Sequence, residues 1–62
     1  MIKPEQWWFL SKEIPETGDS GAAQVLNVCG NTVEIRFEQT GHVIITDGKM
    51  METANNGWRL LQ

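Results

Sequence analysis

Cys29 and His42 are the one thiol and the one imidazole in this chain, and a thiol beside an imidazole is the pairing of a nucleophile with its base. That chemistry requires hydrogen-bond contact. Counting along the alternating strand at 32–38 places Cys29 beside Thr32 and His42 beside Glu38. At about 3.3 Å per residue these positions lie roughly 20 Å apart. His42 therefore reads as a turn residue facing Glu38, and Cys29 as a small apolar residue before a turn. Asp19, Ser20 and Asp47 find no third member of a triad. Thr17-Gly18-Asp19-Ser20-Gly21 has the glycines of an anion-binding loop without the lysine or the spacing of a phosphate loop, so it reads as a turn. One histidine and one cysteine fall short of the four ligands of a structural zinc site. No catalytic residue, metal site or cofactor is expected, and the chain is expected not to be an enzyme.

Tryptophan offers a different chemistry. Trp7, Trp8 and Trp58 are many for a chain of 62 residues. Consecutive residues of a strand point to opposite faces, so Trp7 and Trp8 are expected on opposite sides, and one of them needs a second apolar surface. Tryptophan is enriched at binding hot spots and stacks on bases and sugars.

The elements that position these residues are marked by turn signals at Gly30-Asn31, Thr40-Gly41, Asp47-Gly48 and Asn56-Gly57. Turn signals about eight to twelve residues apart point to an all-β antiparallel meander. The clearest strand is residues 32–38, where Val33, Ile35 and Phe37 alternate with Glu34, Arg36 and Glu38. A two-residue Gly30-Asn31 turn pairs Val28 with Val33 and Leu26 with Ile35. A three-residue loop at 39–41 pairs Phe37 with Val43 and Ile35 with Ile45, and an Asp47-Gly48 turn sets Met50 beside Ile45. The expected core face is Leu26, Val28, Val33, Ile35, Phe37, Val43, Ile45 and Met50. The opposite face is then Val25, Asn27, Glu34, Arg36, Glu38, His42, Ile44 and Met51, with Arg36 between Val25 and Ile44. A polar face with an apolar centre has the character of a contact site.

The ends leave alternatives open. Pro4-Glu5 could begin a helix, whereas Gln6-Trp7-Trp8-Phe9-Leu10 has the aromatic bias of a strand; the strand is preferred. Residues 15–21 read as a surface loop, and Glu13, Glu16 and Asp19 as a solvated acidic surface, or else a patch for a basic partner. Residues 51–55 either continue the fourth strand or form a helical turn stopped by Gly57. Trp58 to Leu61 is the last strand, closing a five-stranded barrel.

A chain of 62 residues holds one domain, residues 1–62, and buries little core. A scaffold of this size is expected to gain stability from a partner, another copy of itself included. Five basic residues against eight acidic ones give a net charge of −3, the wrong sign for duplex DNA or RNA as the main ligand. The longest apolar run, Trp7 to Leu10, is far short of the roughly 20 residues of a membrane span. No secretory signal pattern follows Lys3. With a lone cysteine, a cytoplasmic protein is expected.

Residues 33–42, Val-Glu-Ile-Arg-Phe-Glu-Gln-Thr-Gly-His, resemble a strand-turn pattern of small phage-encoded β domains, some of which precede homing-endonuclease or AP2-type DNA-binding modules. They also resemble the middle hairpin of Tudor-like barrels. The resemblance covers about a sixth of the chain and implies an SH3- or Tudor-like barrel. The ending Gly57-Trp58-Arg59-Leu60-Leu61 departs from the phage pattern, and for the aromatic cage of Tudor-like domains this chain has no tyrosine and, outside the tryptophans, only Phe9 and Phe37. No binding residue is carried over from either family.

The function expected is a small non-enzymatic binding module, of the kind a phage or mobile element uses as an accessory protein, docking on a host or regulatory protein. Its expected contact residues are Trp7, Trp8, Arg36, Ile44 and Trp58. The alternatives are nucleic-acid or nucleotide binding, with tryptophans stacking on bases and Arg36 and Lys49 meeting phosphates, and a structural subunit of a homo-oligomer.

Overall fold

The alternating stretch at the centre is strand β3, Thr32–Phe37, in a computed structural model that describes residues 1–53 and 55–62. Val33, Ile35 and Phe37 are buried, while Arg36 on the opposite face is exposed. The preceding strand β2, Gly21–Cys29, turns into it through Gly30-Asn31. Gly30 has φ 60° while Asn31 stays outside the left-handed region, the sign pattern of a type II′ hairpin turn, which glycine adopts without a Cβ clash. Val28 pairs with Val33 and Cys29 with Thr32, as the two-residue turn requires.

The other elements are β1 (Trp7–Leu10), β4 (Val43–Asp47), helix α1 (Gly48–Glu52) and β5 (Trp58–Leu60). The aromatic stretch at 7–10 is thus the strand and not the helix. All five strands form one antiparallel sheet in the order β4-β3-β2-β1-β5. Its inner face is the core: Trp8, Leu10, Ala23, Val25, Val33, Ile35 and Phe37, joined by Ile2 and by Met51 of α1. Trp58, Ile44, Val28 and Ile14 pack at its margin.

The sheet is not closed. β4 and β5 are its two edges, and α1 lies against both. What the described residues form is one open sheet of five antiparallel strands with one short helix.

Three register expectations are corrected, each by one residue. First, β2 has a bulge: Val25 pairs with Ile35 and Asn27 with Glu34, leaving Leu26 as the extra residue. Val25, not Leu26, takes the buried place opposite Ile35. Second, the β3–β4 loop has four residues, not three. Phe37 N–H donates to the His42 carbonyl at 2.9 Å, and Gly41 N–H reaches back to the Phe37 carbonyl at 2.8 Å. Ile35 therefore pairs with Ile44 and Arg36 with Val43, and Val43 and Ile45 turn outward. Third, Asp47-Gly48 starts a helix and not a hairpin. The Asp47 carboxylate accepts from Lys49 N–H at 2.8 Å as an N-cap, and Gly48 N–H donates to the Asn31 carbonyl. Met51 is buried as a result, and Met50 is exposed. The helix ends at Glu52 with its C-cap at Thr53. Ala54, within the stretch expected as strand or helical turn, lies outside the described residues.

Candidate functional site

Alternation in β1 turns Trp8 and Leu10 inward and Trp7 and Phe9 outward. Pairing extends this outward set across the sheet. Trp7 stands opposite Gln24, Gln24 opposite Arg36, and Arg36 opposite Val43. On the other side Leu61 N–H donates to the Trp7 carbonyl at 2.8 Å. The result is one row across all five strand tracks: Leu61, Trp7, Gln24, Arg36, Val43. A parallel row holds Arg59, Phe9 and Ala22. The Arg59 guanidinium carbon lies 4.9 Å from the Phe9 ring centroid, within cation–π range.

This outer face is open to solvent and carries more apolar surface than a solvated sheet face needs. Val43 is 49% exposed, Ile45 62% and Leu61 46%. Among the described residues, the salt bridges are Met1 with Glu52 and His42 with Asp19, so neither Arg36 nor Arg59 is neutralised by a close carboxylate. Glu34 and Glu38 share the Arg36 face one alternation away on either side. Half-buried aromatics beside unpaired arginines are the residue types that dominate binding hot spots.

The expected contact residues divide between two places. Trp7 and Arg36 lie on the outer face, linked through Gln24. Trp8 is 6% exposed and belongs to the core, so its expected contact role is corrected to a packing role. Its indole N–H donates to Gln6 Oε1 at 3.2 Å. Trp58 also turns inward, its ring centroid 6.2 Å from that of Phe37. Ile44 pairs with Ile35 on the inner face. Arg36 stands between Gln24 and Val43 and not between Val25 and Ile44, because the Leu26 bulge and the four-residue loop shift both neighbours. Phe9 and Arg59 were missed by the sequence reading. The signal for Phe9 was its spacing of two from Trp7; Arg59 had none, since the β1–β5 register is a tertiary feature.

Ile44 and Trp58 meet in a second place. A groove of about 340 Å³ runs between β4 and residues 12–15, with Leu10, Ile14, Ile44, Ile45, Met50 and Trp58 among its apolar lining. It marks the opening that the unpaired β4 and β5 leave.

Asp19 and His42 form a contact absent from the expectations. Asp19 is 1% exposed, so its reading as solvated surface is corrected. Both carboxylate oxygens lie 3.1 Å from His42 Nδ1, and Thr40 Oγ1 donates to Oδ1 at 2.8 Å. His42 thus faces Asp19 and not Glu38. Burial alone pushes the Asp19 carboxyl up. The hydrogen bonds from Thr17, Thr40 and His42, with the His42 charge, outweigh it and hold the group below its ordinary value. An aspartate orienting an imidazole is two-thirds of a hydrolytic triad. Among the described residues, however, the His42 ring hydrogen-bonds to nothing but Asp19. The pair acts as a clasp between the 15–20 loop and the β3–β4 loop. Cys29 stands beside Thr32 at the far end of β3, away from His42.

Among the described residues, no group of three or more His, Cys, Asp or Glu side chains is placed to hold a metal ion. Among the described residues, no helix is long and apolar enough to cross a membrane. In comparisons with known proteins, no family model, no curated protein and no solved structure matches the chain.

Proposed function

We propose that the protein is a non-enzymatic binding module that docks on a protein partner through the outer face of its sheet. The observation that carries this reading is the row Leu61, Trp7, Gln24, Arg36, Val43, which sets an aromatic anchor and an unpaired arginine on one solvent-facing surface. Trp7 supplies apolar contact area, and Arg36 supplies directional hydrogen bonds to carboxylate or carbonyl groups. The strand order, with β5 beside β1 and α1 across the gap, supports a small SH3- or Tudor-like module as the finer description of the architecture. The resemblance of residues 33–42 to phage-encoded domains supports an accessory role on a host or regulatory protein.

The test is to select peptides from a random display library and map them by amide chemical shifts. Selected ligands are expected to perturb residues around Trp7, Phe9, Arg36 and Arg59. Trp7→Ala and Arg36→Ala are each expected to weaken them by about tenfold or more, with the melting transition retained. Shifts confined to the groove beside β4, or unchanged affinity in both variants, would refute the reading.

Base stacking is the second reading, favoured by Trp7 and Phe9 at alternate positions with Arg59 over Phe9. Arg59 fits it better than Lys49. Lys49 sits on α1 beyond Asp47, and Asp47 is about 13 Å along β4 from the neighbour of Arg36. Binding of a short single-stranded oligonucleotide that falls steeply with salt would favour this reading over protein docking.

A further inference from the structure

Among the described residues the sheet has two edges that pair with no further strand, β4 and β5, and they differ in how well they are protected. β5 has three residues; β4 has five, Val43-Ile44-Ile45-Thr46-Asp47. Short edges, proline, lysine and bulges are the usual defences against edge-to-edge pairing. β4 has no proline, lysine or bulge along its length, and its only cover among the described residues is the short helix α1 that follows it.

The ladder shows which groups this edge offers. Phe37 N–H bonds the His42 carbonyl at one end of β4, and Gly48 N–H bonds the Asn31 carbonyl at the other. Hydrogen-bonded pairs alternate along an antiparallel ladder. The even-numbered residues of β4 therefore turn their backbone groups to β3. Val43 and Ile45 turn theirs to the open edge, as Asp47 does its N–H.

We propose that β4 is the interface for a second copy of this chain, paired antiparallel about Ile45. In that register Ile45 faces Ile45 of the second copy, and Val43 faces its Asp47. The hydrogen-bonding groups of the two edges then coincide.

Charge complementarity selects the occupant and the register. Arg36 is beside Val43 on the outer face, so Arg36 and Asp47 of the second copy share one row, two strands apart. That separation is about 10 Å between backbones, which an arginine and an aspartate side chain reaching over Val43 span together. The two-fold makes this pair twice. The N-cap bond occupies only Oδ1 of Asp47, leaving Oδ2 for the guanidinium. Glu34, beside Ile45, is held three strand spacings from Glu34 of the second copy, about 14 Å, beyond the screening length of about 8 Å at physiological salt.

An edge contact of five residues falls at the small end of specific interfaces, so the dimer is expected to be weak. It joins two outer faces into one ten-stranded sheet and engages Arg36, so a partner that needs Arg36 competes with the dimer while both Trp7 side chains stay open.

The test is solution mass by sedimentation equilibrium from about 10 µM to about 1 mM. The wild type is expected to rise from one chain towards two. Ile45→Lys places a charge at the two-fold and is expected to stay at one chain, with its circular dichroism unchanged because Ile45 is 62% exposed. Arg36→Asp is expected to weaken dimerisation, and Trp7→Ala to leave it intact, which separates this interface from the docking face. Hydrogen exchange of the Val43 and Ile45 amides is expected to slow as concentration rises. A wild type that remains one chain at 1 mM, or an Ile45→Lys variant that still doubles, would overturn the proposal.

Discussion

Replacing Trp7 and Trp8 one at a time separates the two faces of the sheet. Trp8 is 6% exposed inside the core, whereas Trp7 is half-buried on the outer face. A buried tryptophan removes about 150–250 Å² from water, worth about 4–6 kcal/mol at about 25 cal/mol per Å². Truncation of buried aromatics to alanine costs about 3–5 kcal/mol in practice. A 62-residue domain has about 3–9 kcal/mol of stability in total. Trp8→Ala is therefore expected to remove most of it and to lower the melting temperature by more than about 10 °C, since about 1 kcal/mol shifts a domain of this size by about 4–8 °C. Trp7→Ala is expected to cost about 1 kcal/mol or less and to act on ligand binding instead. Thermal and urea unfolding followed by circular dichroism reads the first effect, and titration with a selected peptide reads the second. Equal destabilisation by the two substitutions, or a Trp8→Ala variant that melts within a few degrees of the wild type, would refute the assignment of faces.

Two further outcomes follow from the same geometry. Asp19 has a folded-state pKa held below the ordinary 3.8 by its hydrogen bonds and the His42 charge, against the opposing effect of burial; a lowered carboxyl contributes stability that is complete above the unfolded value and is lost as pH falls through the folded one. Acid titration of stability is expected to show a steep limb below about pH 4 that Asp19→Asn flattens, and an unchanged limb would mean that the clasp does not couple to folding. Met51→Ala is expected to cost about 2–5 kcal/mol and Met50→Ala less than about 1 kcal/mol in urea unfolding, because Met51 is buried and Met50 is 53% exposed; the reverse order would restore the hairpin at Asp47-Gly48.

Much of the sheet is legible in local pattern. The strict alternation of residues 32–38 admits one assignment of faces, and β3 has it. The Gly30-Asn31 pair admits one turn length, and the Val28–Val33 pairing follows. Consecutive tryptophans in a strand must diverge, and Trp7 and Trp8 do. The last strand at Trp58 is bounded by Gly57, whose φ of 84° favours glycine.

The assignments that alternation left open fall where apolar residues are adjacent: Val25-Leu26, the run Val43-Ile44-Ile45, and Met50-Met51. In each, a shift of one residue exchanges one apolar side chain for another, so the pattern of hydrophobicity barely changes while every face inverts. Contacts from distant parts of the chain make the choice. The hydroxyl of Thr40 donates to Asp19 and accepts from His42 N–H, so the 15–20 loop holds the four-residue turn that sends Ile44 inward. A Cβ at Gly48 would lie 3.1 Å from Val33 Cγ2 and 3.3 Å from Ile2 Cδ1, and the Gly48 N–H bonds the Asn31 carbonyl, so the start of α1 is tied to the β2–β3 turn. The outer face follows from register. The Leu26 bulge and the four-residue loop put Arg36 in the row of Trp7 and turn Ile44 into the groove, because neighbours across a sheet depend on register, and the register of β4 is held by side chains far apart in the sequence.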